Sequence, residues 1–190
     1  MQKTAFLFPG QGSQIVGMGQ AIAASSQRAQ ARLALINDSL GEALSLLMAE
    51  GPMDKLTLTR NAQPAIFASS VAVLAALEEA SGKSVSEMAN FVAGHSLGEY
   101  SALAAAGTLD IGDAACLLRL RGDAMQKAVP VGEGAMAALL GADLELADDI
   151  IKKALDSGLV QIANDNAPGQ VVISGSRAGV EKAIAVAMEK

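Results

Sequence analysis

Residues 91–106 read FVAGHSLGEYSALAAA, and this stretch decides the fold. The apolar run Phe91 to Ala93 predicts a buried strand, and the residues from Glu99 to Ala106 predict a helix. Between them stands Gly94-His95-Ser96-Leu97-Gly98, which matches the pattern G-x-S-x-G. A strand, a sharp turn and a helix around that pattern are typical of a nucleophile elbow, whose strained backbone exposes a serine hydroxyl. The flanking elements weigh against a chance match, so Ser96 is the candidate nucleophile.

A second Gly-rich segment follows the first predicted strand. The apolar run Ala5 to Phe8 ends at Pro9-Gly10 and leads into Gly10-Gln11-Gly12-Ser13-Gln14. Such a segment is usually a flexible connection between a strand and a helix. Glycines on both sides of Gln11 also let its backbone amide approach a ligand closely, as one donor of an oxyanion hole. The second donor would be the amide of Leu97, the residue after the candidate nucleophile.

The composition favours an α/β protein, because Ala, Leu, Val and Gly dominate and aromatic residues make up only 3%. A net charge of -6 and the absence of any Lys/Arg cluster argue against nucleic-acid binding. One cysteine and one histidine cannot build a zinc site, so we expect no metal. The chain has no uninterrupted apolar stretch of the roughly 20 residues that cross a bilayer, and no signal-peptide core. We therefore expect a cytoplasmic protein that binds no membrane.

The first two-thirds of the chain favour helices around the two predicted strands. Asn61 predicts the cap of a helix that runs through Pro64 to about Ser81. Asp110 predicts the cap of a longer helix from Ile111 to about Val129. Together with the elbow, these elements predict a large α/β-hydrolase-like subdomain with a parallel sheet over residues 1–130.

After Pro130 the pattern changes to short alternating units. They follow the order β-α-β-β-α, which is five-sixths of a ferredoxin-like unit. We therefore predict a ferredoxin-like α+β subdomain over residues 131–190, incomplete because its final strand is missing. The predicted strands are Ala135–Leu140, Leu159–Ala163 and Val171–Ser174, and the predicted helices are Leu144–Asp156 and Ala178–Glu189.

Four groups of residues point to one family. They are Phe8 to Gln14 with Gly17-Met18-Gly19, Gly94 to Tyr100, Arg121-Gly122 before Met125-Gln126, and Asn164 to Gly175. In this order and spacing they resemble the malonyl-CoA:acyl carrier protein transacylases of type II fatty-acid synthesis. The resemblance implies a ping-pong reaction in which Ser96 takes malonyl from malonyl-CoA and passes it to the phosphopantetheine thiol of acyl carrier protein. It implies no cofactor beyond these substrates.

The resemblance also implies roles for single residues. Gln11 and Leu97 fall on the family's oxyanion-hole positions. Arg121 falls on the arginine that pairs with the malonyl carboxylate, where a planar guanidinium can make two parallel hydrogen bonds. The candidate residues of the substrate pocket are His95, Asn164 and Asn166.

Helical geometry gives an independent reason to choose Arg121 over Arg119. At ~100° per residue, Arg121 lies about 60° from the centre of the helix's apolar face, and Arg119 about 100° on the other side. We therefore expect Arg121 to border the packed face and Arg119 to be a solvated surface charge. The competing interpretation of Arg121 is a side chain that snorkels from the helix edge. The predicted apolar face centres on Ile111, Ala114, Leu118 and Met125.

His95 is the sole histidine in the sequence. Adjacent side chains on a tight turn diverge, so we expect His95 to pack or to shape the elbow rather than to act as the general base. In the family the base is a histidine beyond the ferredoxin-like subdomain, and no histidine follows His95. We therefore expect the chain to lack the family's C-terminal third. Because the base is missing, the sequence leaves open whether the isolated chain is active.

Two other classes of protein compete with this interpretation. A serine hydrolase or thioesterase of the α/β-hydrolase type also uses G-x-S-x-G, but it expects a later histidine and leaves the Gln11 loop and Arg121 unexplained. A non-catalytic module that binds a carrier protein would need no base at all. Within the transacylase interpretation, a carboxylate-binding arginine does not distinguish malonyl from methylmalonyl.

Overall fold

The computed structural model describes residues 3–130 and 132–190. The chain divides into two units, residues 1–127 and residues 128–190. The predicted boundary after residue 130 falls shortly beyond this division, and Val131, the first residue of the predicted second subdomain, lies outside the described residues. The elements of the first unit are β1 (Ala5–Phe8), α1 (Gln20–Ser25), α2 (Gln27–Leu40), α3 (Leu44–Glu50), α4 (Met53–Thr57), α5 (Thr59–Ser81), α6 (Val85–Met88), β2 (Phe91–Gly94), α7 (Gly98–Ala105) and α8 (Ile111–Ala128).

The two strands of the first unit are paired in parallel. Ala5 of β1 lies opposite Phe91 of β2, and Phe8 lies opposite Gly94. Parallel neighbours need a long connection, and helices α1 to α6 supply it. Both strands predicted for this part of the sequence are present, and the α/β class with a parallel sheet is confirmed.

Helix α5 forms the centre of the first unit. Eleven of its 23 residues are buried, and helices α2, α3, α4 and α7 pack against it. In the part of the chain that the structure describes, α5 is the one helix long and apolar enough to cross a membrane by length and composition. Its burial in a core cluster around Ile66 and Phe67 is typical of the central helix of a globular unit.

The start of α5 differs from the prediction. Asn61 lies inside the helix, and Leu58 occupies the N-cap without a side-chain hydrogen bond. The Asn61 side-chain Nδ2 instead donates to the carbonyl of Lys55 at 2.9 Å. Asn61, a residue type that often caps helices, therefore links the end of α4 to α5.

Pro64 lies inside α5 and leaves one carbonyl without its helical partner. Because proline has no N–H, the carbonyl of Arg60, four residues earlier, cannot receive the usual bond. The guanidinium of Arg119, from α8, donates to that carbonyl, to Asn61 Oδ1 at 2.8 Å and to the carboxylate of Glu42. The Arg119 side chain is only 13% exposed, and burial lowers its pKa. The prediction of a solvated surface charge at Arg119 is therefore wrong.

The second unit has the predicted order β-α-β-β-α. Its sheet is antiparallel with strand order β3-β5-β4. Alternate residues of β5, Val171 and Ile173, are fully buried in a core that α9 and α10 complete. The elements are β3 (Gly134–Leu140), α9 (Leu144–Ala154), a 3₁₀ turn (Leu155–Ser157), β4 (Val160–Ala167), β5 (Gln170–Ser176) and α10 (Arg177–Met188).

Strand β4 is longer than predicted. It continues past Ala163 to Ala167, with Asn164 opposite Val172 and two irregularities in the pairing. The polar residues after Ala163 have low strand propensity, which is why the sequence predicted the strand to end at Ala163. Pairing with β5 overrides that propensity.

The turn after β2 depends on two glycines. A Cβ on Gly94 would lie 1.9 Å from the carbonyl oxygen of Gly98, and a Cβ on Gly98 would lie 2.4 Å from the carbonyl oxygen of Phe8. The ends of β1 and β2 and the first turn of α7 thus lie so close together that no side chain fits at position 94 or 98. Between these glycines, Ser96 has a φ of 55°, the one left-handed value at a non-glycine residue in the described part of the chain.

The contact between α2 and α5 predicts a pH-dependent stability. Ser26 caps α2 by accepting from the Ala29 amide at 3.0 Å, and its hydroxyl donates to the Glu79 carboxylate. The Arg28 amide donates to the same carboxylate at 3.3 Å. These bonds, chiefly that of Ser26, hold the pKa of Glu79 below its ordinary value of 4.5. A carboxyl with a lowered pKa adds stability above its unfolded pKa and loses it as the pH falls through the folded value.

We therefore expect Glu79→Gln to unfold at a lower urea concentration than the unchanged chain at pH 7. The difference should shrink at a pH below the lowered pKa of Glu79, where the unchanged chain also has this carboxyl protonated. Glu50→Gln, at an exposed position at the end of α3, serves as the control. An equal loss of stability at both pH values would contradict the assignment.

The close contacts of Gly94 predict that alanine destabilises the fold more at this position than at a glycine with open space around it. We expect Gly94→Ala to destabilise the fold by about 3 kcal/mol or more, because its Cβ would overlap the backbone of Gly98. Gly82→Ala is the matched control, since Gly82 has a φ of 65° but nothing within 4 Å of its Cβ position. Strain alone should cost that control about 1 kcal/mol. Urea unfolding measures both, and equal losses would contradict the packing argument.

Candidate active site

Ser96 lies at the exposed turn between β2 and α7. Three backbone bonds fix this turn. The His95 amide donates to the Phe8 carbonyl at 3.2 Å, the Gly98 amide to the His95 carbonyl at 2.9 Å, and the Glu99 amide to the Ser96 carbonyl at 3.1 Å. The nucleophile position is thus tied to the end of β1 as well as to its own helix.

Arg121 lies next to Ser96. Its Nη2 donates to the Ser96 Oγ at 3.2 Å, and its Nη1 donates to the Gln63 Oε1. The side chain reaches this position from the middle of α8 and is half-buried. One end of the guanidinium is therefore fixed by α5, and the other end faces the serine.

Gln63 is a functional candidate that the sequence analysis missed. It is fully buried, its Oε1 accepts from Arg121, and its Nε2 lies 3.2 Å from the Met125 sulfur. A polar signal was available, because Gln63 stands alone in the apolar run from Ala62 to Ala68. A buried amide almost always has a hydrogen-bond partner, so such a residue points to a second polar group facing the helix.

Helix α8 holds Arg121 in place through a close crossing with α5. A Cβ on Gly122 would lie 2.7 Å from the Arg60 Cα, so the two helices are in backbone contact there. Arg60 also forms a half-exposed ion pair with Asp123, with 2.7 Å between Nε and Oδ1. Met125 is 43% exposed, so its predicted place at the centre of the packed face is wrong. The buried residues of α8 are Gly112, Ala114, Ala115, Leu118 and Gly122.

The two candidate oxyanion donors lie on neighbouring segments. Leu97 is anchored by a fully buried side chain. The loop that carries Gln11 lies against the elbow, since a Cβ on Gly98 would be 2.8 Å from the Pro9 carbonyl oxygen. In residues 3–130 and 132–190, no backbone carbonyl accepts from the amide of Leu97 or of Gln11. Their role as oxyanion donors stays a prediction.

The Gln11 loop is held by side-chain bonds. Gln11 Nε2 donates to the Thr59 Oγ1 at 3.0 Å, at the start of α5. The Gly12 amide donates to the Gln14 Oε1 at 2.9 Å, and the Ser13 hydroxyl donates to the Gly10 carbonyl at 2.9 Å. These bonds turn a Gly-rich segment into an ordered connection beside the serine.

The His95 ring lies beside the same loop. A Cβ on Gly10 would lie 2.7 Å from the His95 Nδ1, so a side chain at position 10 would collide with the ring. The backbone of His95 also bonds to Phe8 and Gly98. This placement fits the predicted elbow-shaping role, which stays a prediction together with its role in the substrate pocket.

Asn164 and Asn166 lie on β4 of the second unit, where both are exposed. The Asn166 side-chain Nδ2 donates to the Gln170 Oε1 at 3.4 Å across the hairpin. Their role in a substrate pocket stays a prediction. Within the described ranges, no group of three His, Cys, Asp or Glu residues could hold a metal ion.

Comparison with known proteins identifies relatives along the whole chain. Residues 5–189 match the family described as acyl transferase domain. The chain is 50% identical to the malonyl CoA-acyl carrier protein transacylase of Bacillus subtilis, over 100% of this chain and 58% of that protein. It is 44% identical to the transacylase of the same name from Haemophilus influenzae, over 100% of this chain and 60% of that protein. The chain thus spans less than two-thirds of these relatives.

Solved structures give the same result. The acyl-carrier-protein-S-malonyltransferase of Bartonella henselae superposes with a TM-score of 0.89 at 52% identity, covering 99% of this chain and 60% of that chain. A second match is a malonyl-transacylase solved in complex with its type II polyketide acyl carrier protein. It superposes with a TM-score of 0.86 at 41% identity, covering 99% of this chain and 60% of that chain. Over residues 5–189 the chain belongs to the acyl transferase domain family, and on sequence and on structure it is similar to malonyl-CoA:acyl carrier protein transacylases.

Proposed function

We propose that this chain carries the acyl-binding part of a malonyl-CoA:acyl carrier protein transacylase, with Ser96 as the residue that accepts malonyl. The observation that supports this most directly is the 3.2 Å distance between Arg121 Nη2 and Ser96 Oγ. A guanidinium at that distance from the nucleophile is placed to receive the free carboxylate of a short dicarboxylic acyl group. The same role was implied by the family resemblance at the level of the sequence.

The proposed reaction has two balanced halves. Ser96 Oγ attacks the thioester carbonyl, an ester bond forms, the carbon–sulfur bond breaks, and coenzyme A leaves as the thiol with the serine proton. The phosphopantetheine thiol of acyl carrier protein then attacks the ester carbonyl, a new thioester bond forms, the bond between malonyl and Ser96 Oγ breaks, and Ser96 regains the proton that the thiol loses. In both halves the amides of Leu97 and Gln11 stabilise the oxyanion.

The environment of Arg121 favours a carboxylated acyl group over a plain one. Gln63 is buried and accepts from one end of the guanidinium. An acyl group without a carboxylate would cover the other end from water and leave it with the neutral Ser96 hydroxyl in place of an anionic partner, which is costly. A general serine hydrolase has no need of such an arginine, so this contact favours the transacylase over the hydrolase.

The proton acceptor is proposed to come from outside these 190 residues. Arg121, the side chain that contacts Ser96 Oγ, has donors only and cannot take the serine proton. The sequence has one histidine, His95, and the family resemblance implies a different one as the base. We infer that the reaction uses malonyl-CoA and acyl carrier protein in the cytoplasm and needs no cofactor.

Acylation of Ser96 is the direct test. Incubated with radiolabelled malonyl-CoA, the chain should acquire label at Ser96, and Ser96→Ala should acquire none. We expect the rate to be about 10²–10⁴-fold below that of the Bacillus subtilis relative, because a general base contributes that factor. Peptide mapping locates the label, and Ser13→Ala, in the neighbouring loop, is the control.

Each competing function predicts another result. Label that reaches Ser96 and is released as malonate in the presence of acyl carrier protein, without transfer, would favour a hydrolase. A chain that binds acyl carrier protein but never acquires label would favour the non-catalytic module. Label on Ser13 or on Ser96→Ala would contradict the assignment of the nucleophile.

Substrate preference tests the arginine without requiring turnover. By calorimetry, malonyl-CoA should bind roughly 10-fold or more tightly than acetyl-CoA, since a hydrogen bond to a charged group contributes about 1.5–3 kcal/mol. Arg121→Ala should abolish that preference, and Gln63→Leu should reduce it by releasing one end of the guanidinium. Arg28→Ala, at an exposed position on α2, should leave it unchanged. A preference that survives Arg121→Ala would exclude the proposed role.

A further inference from the structure

Residues 59–63, which we call the α5 start, contact two parts of the candidate site. Gln11 Nε2 donates to the Thr59 Oγ1 at 3.0 Å. Arg121 Nη1 donates to the Gln63 Oε1. The α5 start therefore holds both the loop of one candidate oxyanion donor and the guanidinium that faces the nucleophile. A displacement of this segment would move both.

The α5 start lacks one bond of a regular helix. Pro64 has no N–H, so the Arg60 carbonyl has no donor from its own helix. Arg119 Nη1, from α8, donates to this carbonyl and to the Asn61 Oδ1 at 2.8 Å. The two helices touch at this point, since a Cβ on Gly122 would lie 2.7 Å from the Arg60 Cα. Helix α8 thus supplies the hydrogen bond that α5 cannot make for itself.

Burial of Arg119 disfavours its own charge. The side chain is 13% exposed, and burial lowers its pKa. The carboxylate of Glu42 accepts from the second end of the guanidinium and offsets part of that cost. A planar guanidinium has donors at both ends, so it can hold a carbonyl and a carboxylate at the same time. These contacts indicate that the position requires the donor geometry of arginine as well as its charge.

We propose that Arg119 is a positioning residue of the candidate site. By holding the Arg60 carbonyl, it fixes the α5 start. Gln63 belongs to this segment, so the Arg121 guanidinium keeps its place against the Ser96 hydroxyl. The inference deepens the proposed function and rests on it, since the place of Arg121 matters to binding only if this arginine receives the acyl carboxylate.

A second contact between α5 and α8 competes with this role. Arg60 and Asp123 form an ion pair with 2.7 Å between Nε and Oδ1, and their side chains are 43% and 44% exposed. Exposed ion pairs contribute little, because solvent screens them. The pair also leaves the Arg60 carbonyl untouched. Asp123→Asn is therefore the matched control, because it removes a contact between the same two helices without removing the bond from Arg119.

A thiol at the nucleophile position reports the place of the guanidinium without any acyl substrate. The reference chain carries Ser96→Cys together with Cys116→Ser, which removes the exposed background thiol. A thiolate is the reactive form of cysteine, and a neighbouring guanidinium stabilises it. Alkylation by iodoacetamide at pH 7 should therefore slow roughly 10-fold in Arg121→Ala. In Arg119→Met it should slow roughly 3-fold or more, with the pH profile of the rate displaced to higher pH.

Two further variants separate positioning from charge. Arg119→Lys keeps the charge but donates from a single nitrogen, so alkylation should slow there too. Pro64→Ala returns a helical donor to the Arg60 carbonyl, so in that background Arg119→Met should change the rate less than about twofold. Asp123→Asn should also change the rate less than about twofold. Urea unfolding checks that each variant is folded under the labelling conditions.

Four results would overturn the positioning role. They are an unchanged rate in Arg119→Met, a loss that persists after Pro64→Ala, an equal loss in Asp123→Asn, and an unchanged rate in Arg119→Lys. The last result would assign the effect to charge alone, and the third would assign it to general loosening of the two helices.

Calorimetry on the chain with its native serine tests the link to the proposed function. Arg119→Met should reduce the preference for malonyl-CoA over acetyl-CoA, as Gln63→Leu does. The two failures are distinguishable, because alkylation involves no acyl group. If Arg119 controls the Ser96→Cys thiol but malonyl-CoA binds no more tightly than acetyl-CoA, the positioning role is supported and the proposed function is contradicted.

Discussion

The close approach of three backbone segments at the elbow is the constraint on which the site depends. Without side chains at Gly94 and Gly98, the end of β2, the start of α7 and the end of β1 come within contact distance. That contact forces Ser96 into a left-handed conformation, which exposes its hydroxyl. It also places the Gln11 loop beside the serine, so both candidate oxyanion donors derive their position from the same two glycines.

The partner of Ser96 is positioned by a different and longer chain of contacts. Pro64 deprives the Arg60 carbonyl of its helical bond, and Arg119 reaches from α8 to satisfy it. Gly122 allows the two helices to touch at that point. With α8 fixed in this way, Arg121 lies between Gln63 and the serine. The arginine that stabilises the crossing, Arg119, and the arginine that contacts Ser96, Arg121, are therefore two residues apart and have different partners.

The sequence was informative where structure is determined locally. The strand, turn and helix around Ser96 follow from a few adjacent residues, and so does the order of elements in the second unit. The prediction for Arg119 failed because a helical wheel uses only the apolar residues of one helix. The group that holds Arg119 in its buried position is the Arg60 carbonyl, which Pro64 leaves without a helical partner. This carbonyl lies on another helix, so the periodicity of α8 does not reveal it. The sequence analysis missed Gln63 for a related reason, because its hydrogen-bond partner, Arg121, lies on α8.

The contact between Arg121 and Ser96 also bears on the order of events under the proposed function. The serine oxygen accepts a hydrogen bond from a cation, which lowers its electron density and its reactivity. A carboxylate competes for the same donor with a full negative charge and a stronger hydrogen bond. Binding of a malonyl group would therefore draw the guanidinium away from Oγ and free the nucleophile. An acyl group without a carboxylate would leave that contact in place, so the same arginine would select the substrate by binding it and by releasing the serine.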